Sequence, residues 1–373
     1  MRQFDRRLAY HFDWLLMVLM LAIIAGGLAT IFSATAARVH TGFTNNPLVM
    51  RQAFYAGVGF LGMIAVMLVD YRRLERYAYV IYAATLLLLV AVPLVGSVVG
   101  GARRWIDLGP VSIQPSEMIK VAMVIALARY FHRAQATGDV RLVDALPAFL
   151  LMVIPGALIL MQPDLGTAGV ITLVAFSVLF CAGLRIRVFL MLGAVAAAAV
   201  PLLWGHLKPY QQKRVLTFLS PEMDPLGAGY HVIQSKIAIG SGMFWGKGFL
   251  HGTQNKLNFI PEQHTDFIFS VFAEEWGYVG ALVLLGLYAA LVVRGLMVAS
   301  RAKDRFGVLL TFGVVSIVFW QVVINVGMTS GILPVVGITL PFFSYGGSSL
   351  TTMMMAVGLI INVNMRRFLF KSH

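Results

Sequence analysis

The sequence predicts an all-α polytopic membrane protein with about ten transmembrane helices, and three observations lead to that fold class. Of the 373 residues, 59% are hydrophobic and 12% are charged, whereas about a quarter of a typical soluble domain is charged. Uncharged runs recur along the chain at the length of about 20 residues that a bilayer requires. Basic residues concentrate between alternate runs. A soluble enzyme, a disordered chain and a coiled coil are therefore excluded.

Each predicted span is bounded by charges or by helix breakers. The first follows Arg6 and Arg7 like a signal peptide, but it is too long and lacks a small-residue cleavage site, so we expect it to be retained. The fourth carries Lys120 and is expected to be a partly polar helix inside a bundle. The last two share the uncharged run Phe306–Met365, which Gly331–Gly347 interrupts. The spans are predicted at 14–36, 51–69, 77–97, 115–131, 145–162, 166–184, 187–205, 266–294, 306–330 and 346–365.

Lysine and arginine set the orientation, because short cytoplasmic loops of membrane proteins carry an excess of both. With the N-terminus in the cytoplasm, short cytoplasmic segments hold 18 of the 29 Lys and Arg, and the other face holds 11. Six of those 11 fall in one long extracytoplasmic loop at 206–265, between spans 7 and 8. We therefore expect both termini in the cytoplasm and a single integral membrane domain over 1–373.

The charge and the cysteine content exclude further classes of partner. A net charge of +13 would suggest nucleic acid in a soluble protein, but here it follows from the loop charges, and no nucleic-acid partner is expected. The single cysteine, Cys181, excludes an intramolecular disulfide and a cysteine-based metal cluster. Because the sequence also lacks an HExxH or comparable ligand set, no tightly held metal is expected.

The first unusual cluster precedes and opens the fourth span. Arg103 and Arg104 next to Trp105 predict a cationic, amphipathic loop at the membrane interface, suited to an anionic lipid head group. Glu117 and Lys120 lie three residues apart on one helical face and can form an ion pair. The alternative is an interfacial anchor followed by a purely structural ion pair.

The second cluster is the sequence QPDLGT between the fifth and sixth spans. Pro163 and Gly166 interrupt the backbone, and Asp164 lies at the interruption. Broken helices at membrane depth generally line a cavity. A cap for the next helix is an equally good explanation of Asp164, because a carboxylate is stabilised at a helix N-terminus.

The third cluster is a glycine-rich basic stretch at 234–258, in the predicted long loop. Its glycines and lysines, Lys247 among them, resemble a phosphate cradle. The Walker pattern GxxxxGK[ST] is absent, so nucleotide binding is not expected. We interpret the stretch as a flexible basic loop near anionic lipid.

The fourth cluster, at 259–277, opens the eighth span. Asp266 lies at its outer mouth beside His264, and a carboxylate at the water boundary can act as a general base. Glu274 and Glu275 follow inside the predicted helix and must be paired, protonated or hydrated, with a structural ion pair as the alternative to a substrate contact. His264 is as well explained as a hydrogen-bonding residue as it is as a catalyst.

Taken together, these clusters resemble the SEDS family (shape, elongation, division and sporulation) along nearly the whole chain. The short termini and the sequence NKLNFIPEQHTDFIF are most similar to the elongation member of the family and less similar to the division member. Six motifs carry the resemblance in the same order, namely GARRWIDLG, QPSEMIK, QPDLGT, AIGSGMFWGKG, FIPEQHTDFIFSVFAEEWG and LPFFSYGGSS.

The resemblance implies a ten-span peptidoglycan glycosyltransferase that polymerises lipid II at the outer face of the bacterial cytoplasmic membrane during cell elongation. It implies a class B penicillin-binding protein as crosslinking partner, together with the elongation machinery. The catalytic aspartate of the family falls on Asp266. By the same comparison Glu117 and Lys120 form a functional polar pair, and Asp164 belongs to a polar cavity.

The implied chemistry is one displacement. Asp266 would accept the proton of an acceptor hydroxyl while undecaprenyl diphosphate leaves the donor sugar, and the linkage would invert. Arg103 and Arg104 would face the diphosphate; a lysine or a loosely bound divalent cation, Mg²⁺ or Mn²⁺, is the alternative counter-charge. No tightly bound cofactor is expected.

Three alternatives stay open on the sequence alone. A lipid II flippase or other transporter would also use buried Glu117, Lys120, Glu274 and Glu275 together with helix breaks, although no inverted repeat is found. A non-catalytic scaffold for cell-wall synthases is a second alternative. The division or sporulation paralogue is a third.

Overall fold

The structure is a computed structural model. It describes residues 11–39, 42–99, 102–109, 111–134, 142–203, 228–256 and 262–367, with 205, 212, 216–218 and 220 between them. Both chain ends and most of the first part of the predicted long loop lie outside the described residues.

The described part of the chain is mainly helical, as predicted. Its helices are α1 Trp14–Val39, α2 Pro47–Leu68, α3 Tyr71–Val95, α4 Pro115–Arg133, α5 Leu142–Met161, α6 Leu165–Cys181, α7 Ile186–Leu203, α8 Ala228–Ser241, α9 Thr253–Lys256, α10 Ile268–Ser300, α11 Arg305–Thr329 and α12 Gly347–Arg366. A single 3₁₀ turn, Phe43–Asn45, precedes α2.

Every predicted span coincides with one of these helices, and six of the described helices are long and apolar enough to cross a membrane. The chain is therefore a multi-pass membrane protein. The count of ten crossings and the cytoplasmic position of both termini stay predictions.

Local signals explain where several helices begin. Pro115 is the first residue of α4, where its fixed φ and missing N–H cost nothing. The side chain of Asn46 caps α2 by accepting hydrogen bonds from Leu48 N and Val49 N. Asp304 caps α11 through the backbone N–H of Gly307, at 2.7 Å.

The bundle is built around α4, α11 and α12, whose side chains are buried on nearly every face. Helix α12 packs most extensively against α2. Two glycines allow this close approach, because a Cβ on Gly59 would lie 2.6 Å from Met354 Sδ and one on Gly358 would lie 2.9 Å from Met63 Cγ. Small residues at such contacts are typical of membrane helix packing.

A small antiparallel sheet follows α3, in the order β1 Ser97–Val99, β2 Ala102–Leu108 and β3 Val111–Ile113. Here the prediction of an interfacial loop was incomplete, because the cationic stretch pairs as strands. Valine, isoleucine and tryptophan are frequent in this stretch and favour extended backbone. Gly109, with φ of 78°, makes the turn between β2 and β3.

The predicted break between α11 and α12 is an irregular segment, 331–346, that enters the bundle. Its backbone reaches about halfway along α1, where the carbonyl of Phe343 contacts Gly27. Side chains hold it there: Tyr288 Oη donates to Pro341 O at 2.6 Å, and Gln52 Nε2 donates to Ser344 O at 3.1 Å. Non-helical backbone at membrane depth is stable only when protein encloses it or when it lines a cavity.

The predicted eighth span is interrupted. Helix α10 contains one non-helical residue, Gly277, with φ of 65° and ψ of −165°. The backbone of Gly246 packs directly against Gly277, and no side chain would fit between these two backbone segments. Glycine is therefore required at 277 for both its backbone conformation and its lack of a side chain.

Candidate active site

A partly open cavity of about 660 Å³ lies where the sheet, the irregular segment and the beginnings of α4, α6, α10 and α12 meet. We call it the polar cavity. Its lining residues come from widely separated segments: Arg51, Tyr55, Arg104, Trp105, Asp107, Ser112, Gln114, Glu117, Asp164, Thr167, Glu262, His264, Thr265, Asp266, Gln321, 336–339 and 345–349.

The polar cavity brings together most of the residues that the sequence singled out. Among the described lining residues it gathers two guanidinium groups, from Arg51 and Arg104, and five carboxyl groups, from Asp107, Glu117, Asp164, Glu262 and Asp266. Its wall is therefore rich in negative charge.

Asp266 lies in a turn before α10, and neighbouring side chains fix the backbone of that turn. Asn325 Nδ2 donates to the carbonyl oxygen of Asp266 at 2.9 Å and to that of Ile338 at 2.6 Å. Ser344 Oγ donates to Thr265 O at 2.7 Å. The carboxylate lies beside Gly337, where an added Cβ would be 3.3 Å from Asp266 Oδ2. A half-buried carboxylate on a fixed backbone is suited to accept a proton from a bound group.

His264 lies in the same turn and also lines the polar cavity. Its ring contacts that of Tyr345 with centroids 5.6 Å apart, and its carbonyl accepts from Tyr345 N at 2.9 Å. These contacts connect the turn to the residues that open α12.

Glu117 and Lys120 form the predicted ion pair inside the bundle. Lys120 Nζ lies 2.8 Å from Glu117 Oε1, and the two side chains are 1% and 7% exposed, the lysine being the lower. The second carboxylate oxygen, Oε2 of Glu117, is buried without a hydrogen-bond partner. Glu117 lines the polar cavity, and Lys120, which is not among the described lining residues, is its ion-pair partner.

Asp164 satisfies both explanations that the sequence left open. It is the N-cap residue of α6, where its carboxylate accepts from Thr167 N at 3.1 Å and from Thr167 Oγ1 at 2.9 Å. It also lines the polar cavity. The side chain of Asp164 therefore both caps α6 and forms part of the cavity wall.

The cationic strand separates its two arginines. Arg104 and Trp105 line the polar cavity. Arg104 also donates to Gln162 O at 3.2 Å and to Pro163 O at 2.6 Å, which ties β2 to the start of α6. Arg103 does not line the cavity; its Nη1 donates to Pro93 O at 3.0 Å on the exposed side.

Asp107, on the same strand, was not among the predicted site residues. Hydrogen bonds from Ser112 and then from Ser97 hold the pKa of its carboxyl below the ordinary value. Asp107 is therefore ionised at neutral pH at the rim of the polar cavity.

Lys247, Glu274 and Glu275 lie in a separate cluster, which does not line the polar cavity. Glu274 Oε1 accepts from Lys247 Nζ at 2.6 Å, from Thr253 N at 2.8 Å and from Gln254 N at 3.1 Å. We call this set of contacts, with those of Glu275 below, the loop latch. The structural ion pair that the sequence left open for Glu274 is present.

Glu275 completes the loop latch from the next position. Its side chain accepts from Ser33 Oγ of α1, and its backbone carbonyl accepts from Gly248 N at 2.9 Å. The preceding carbonyl accepts from Lys247 N at 3.0 Å. Residues 247–254 are thus held by two consecutive residues of α10.

Several cavity residues were missed by sequence reasoning. Gln321 stands inside a long apolar run, and a lone amide there was an available signal. Arg51 begins the second predicted span and resembled an ordinary flanking charge. Residues 345–349 lie in the motif LPFFSYGGSS, but none of their side chains was assigned to the site from the sequence.

The described residues contain no group of three or more His, Cys, Asp and Glu side chains arranged to hold a metal ion. The five carboxyl groups of the polar cavity are spread around its wall instead.

Comparison with known proteins agrees with the motifs. The sequence profile of the FtsW, RodA and SpoVE family of cell cycle proteins matches residues 13–368. The chain is 42% identical over 358 residues to peptidoglycan glycosyltransferase MrdB of Escherichia coli K12, covering 96% of this chain and 94% of that one. It is 36% identical to peptidoglycan glycosyltransferase RodA of Treponema pallidum, with 95% and 98% covered.

Solved structures show the same fold. The crystal structure of the Thermus thermophilus rod shape determining protein RodA superposes with a TM-score of 0.71 at 33% identity, covering 96% of this chain and 98% of that one. A chain from a peptidoglycan synthase complex, solved in a study of how polymerization and crosslinking are coordinated, gives 0.82 at 35% identity, with 96% and 99% covered.

Proposed function

The chain belongs to the FtsW, RodA and SpoVE family, the SEDS proteins, and from that membership we propose that it polymerises lipid II into glycan strands during cell elongation. Its relatives named peptidoglycan glycosyltransferases support the activity, and the similarity to RodA structures supports the elongation role. The observation that carries the proposal is the position of Asp266, fixed by Asn325 in the wall of a cavity large enough for sugars.

In the proposed reaction Asp266 is the general base. It takes the proton from the 4-hydroxyl of the acceptor's terminal N-acetylglucosamine as that oxygen attacks C1 of the donor's N-acetylmuramic acid. The bond from C1 to the undecaprenyl diphosphate oxygen breaks, and the configuration at C1 changes from α to β. A diphosphate needs little protonation to leave, so one base suffices, unlike the two carboxyl groups of a hydrolase.

Arg104 and Arg51 are the proposed counter-charges for the departing diphosphate, since both line the polar cavity. Guanidinium groups bind phosphate oxygens through paired donors. The first turns of α4, α6 and α12 also border the cavity and add partial positive charge. A divalent cation, Mg²⁺ or Mn²⁺, enters this proposal only as a companion of the substrate's diphosphate.

The stereochemistry gives the test of this function. Purified protein in detergent, supplied with lipid II alone, is expected to form strands that a muramidase specific for β-1,4 linkages digests completely to disaccharide units. A flippase or a scaffold would form no strands, and retention at C1 would leave α-linked material that resists digestion. Either result would contradict the proposal.

The proposed location is the bacterial cytoplasmic membrane, with the polar cavity and the loop latch facing outward. A cysteine at His251, in a Cys181→Ser background, is expected to react with an impermeant thiol reagent in intact spheroplasts, because His251 is exposed. Gly252 would be a poor choice, since a Cβ there would lie 2.9 Å from Glu274 Oε2.

The matched control is Ser300→Cys, at the other end of α10, which is also exposed. It should react only after the membrane is disrupted. The reverse pattern of labelling for the two cysteines would show that the proposed orientation is wrong.

A class B penicillin-binding protein of the elongation machinery is the proposed partner. The support is the similarity to a chain from a peptidoglycan synthase complex in which polymerization and crosslinking are coordinated. The strands made at the polar cavity would be the substrate of its crosslinking reaction.

A further inference from the structure

Gln321 is a buried polar side chain that the reaction described above does not use. It lies in the middle of α11, is 1% exposed and lines the polar cavity. Its carboxamide oxygen, Oε1, is buried without a hydrogen-bond partner among the described residues. Buried amides are almost always hydrogen-bonded, so an unpartnered amide oxygen in a cavity wall is a candidate contact for a bound group.

Gln52 is a second buried glutamine, and its hydrogen bonds show a purely structural role. It is also 1% exposed. Its Nε2 donates to Ser344 O at 3.1 Å, and its Oε1 accepts from Gly346 N at 3.1 Å. Gln52 therefore has both ends satisfied by protein, whereas Gln321 does not.

The position of Gln321 relates it to the reacting groups. It lies one helical turn before Asn325, on the same face of α11, and Asn325 holds the backbone of Asp266. Lower on the same helix, Gly313 packs against Val124 of α4 and Val178 of α6. Both helices run antiparallel to α11. Gln321 lies two turns after Gly313 on α11 and is therefore at the same height in the bundle as the beginnings of α4 and α6.

The surroundings restrict the chemistry of a ligand at Gln321. Glu117 and Asp164, at those two helix beginnings, line the same cavity and disfavour an anionic group nearby. A carboxamide offers one acceptor and two donors, so its best neutral partner also carries both an N–H and a C=O. Both sugars of the lipid II disaccharide carry such a group on the ring itself, in the 2-acetamido substituent.

We propose that Gln321 is a specificity-determining residue that hydrogen-bonds the 2-acetamido group of a substrate sugar. The proposal rests on the polymerase function given above. It assigns to Gln321 the recognition of a substituent that does not react, while Asp266 acts on the hydroxyl that does.

The test compares lipid II with analogues in which the 2-acetamido group of one sugar is replaced by hydroxyl. A site built to hydrogen-bond a polar group discriminates strongly against an analogue that lacks it. For one of the two sugars, the wild type is expected to favour lipid II by at least about 100-fold in kcat/KM. Gln321→Met, which keeps volume but removes the amide, is expected to reduce that preference below about 10-fold.

Thermal stability without substrate separates this role from a structural one. Replacing an unsatisfied buried amide by an apolar group of similar shape is neutral or stabilising, so Gln321→Met should melt at or above the wild-type temperature. The matched control, Gln52→Met, should melt lower because it leaves Ser344 O and Gly346 N unpaired, and it should keep the wild-type preference for lipid II.

Three results would overturn the inference: a wild type that joins lipid II but does not discriminate, a Gln321→Met variant with unchanged discrimination, or one destabilised like Gln52→Met. A wild type that joins no lipid II at all would instead contradict the polymerase function, so the two failures are distinguishable. Gln321→Asn, which keeps the amide but shortens its reach, should retain an intermediate preference and thereby support the hydrogen bond.

Discussion

Asp266→Asn is expected to lower the rate of lipid II polymerisation by at least two orders of magnitude. General-base catalysis typically contributes about 10²–10⁴-fold, and asparagine keeps the shape of the side chain while it removes the base. Folding should survive, because Asn325 holds the carbonyl oxygen of residue 266 and not its carboxylate. The measurement is initial strand formation by purified protein, with melting temperature as the check on folding.

Asp266→Glu should recover only a small part of the activity. The added methylene moves the carboxylate by roughly an ångström, and proton transfer depends on that geometry. The matched control is Asp70→Asn. Asp70 caps α3 through Arg72 N at 3.0 Å, away from the polar cavity, and asparagine caps a helix about as well as aspartate.

The competing explanation, that Asp266 merely caps α10, makes a different prediction. The N-cap residue of α10 is Phe267, whose own side chain makes no capping hydrogen bond. If a well-folded Asp266→Asn variant still makes long strands, Asp266 is not the general base, and the flippase alternative is favoured.

Glu117→Ala and Lys120→Ala are each expected to destabilise the protein by about 3–5 kcal/mol. Removing one partner of a buried ion pair leaves the other charge uncompensated, and here the Nζ–Oε1 distance is 2.8 Å with both side chains buried. Chemical or thermal denaturation in detergent measures the loss. Polymerisation should fall with it, since Glu117 also lines the polar cavity.

An exposed ion pair provides the control for Glu117 and Lys120. Arg133 Nε lies 3.1 Å from Glu75 Oε1, with the arginine side chain 68% exposed, so Arg133→Ala should cost no more than about 1 kcal/mol. The charge swap Glu117→Lys with Lys120→Glu should recover part of the stability. Normal stability and activity in either alanine variant would mean that the pair contributes to neither.

The helices were predictable because a bilayer imposes a length and a composition on them. Runs without charge located most of the predicted spans, and sequence spacing alone predicted the pair of Glu117 and Lys120. Pro115 and Asp164 also follow local rules, since proline at the first helical position and aspartate at an N-cap need no tertiary information.

The rest of the site depends on contacts between distant segments, which no local pattern encodes. Arg51 and Gln321 line the polar cavity together with residues of the irregular segment and the start of α12, which are distant from them in sequence. Conversely, the sequence left Glu274 between a substrate contact and a structural ion pair, and it pairs with Lys247, 27 positions away. Glu274 and Lys247 both carry charges that would suit a substrate site. Only their contacts in the folded chain distinguish a structural ion pair from a substrate contact.

The loop latch limits how this protein can be recombined with its paralogues. Glu274 and Glu275 are the anchor points of residues 247–254, and Gly277 accommodates the same loop through the backbone of Gly246. A chimera that imports a foreign loop without these anchor residues would leave buried carboxylates facing mismatched donors. The loop and the first third of α10 therefore depend on each other. A chimera between family members should exchange the two segments together.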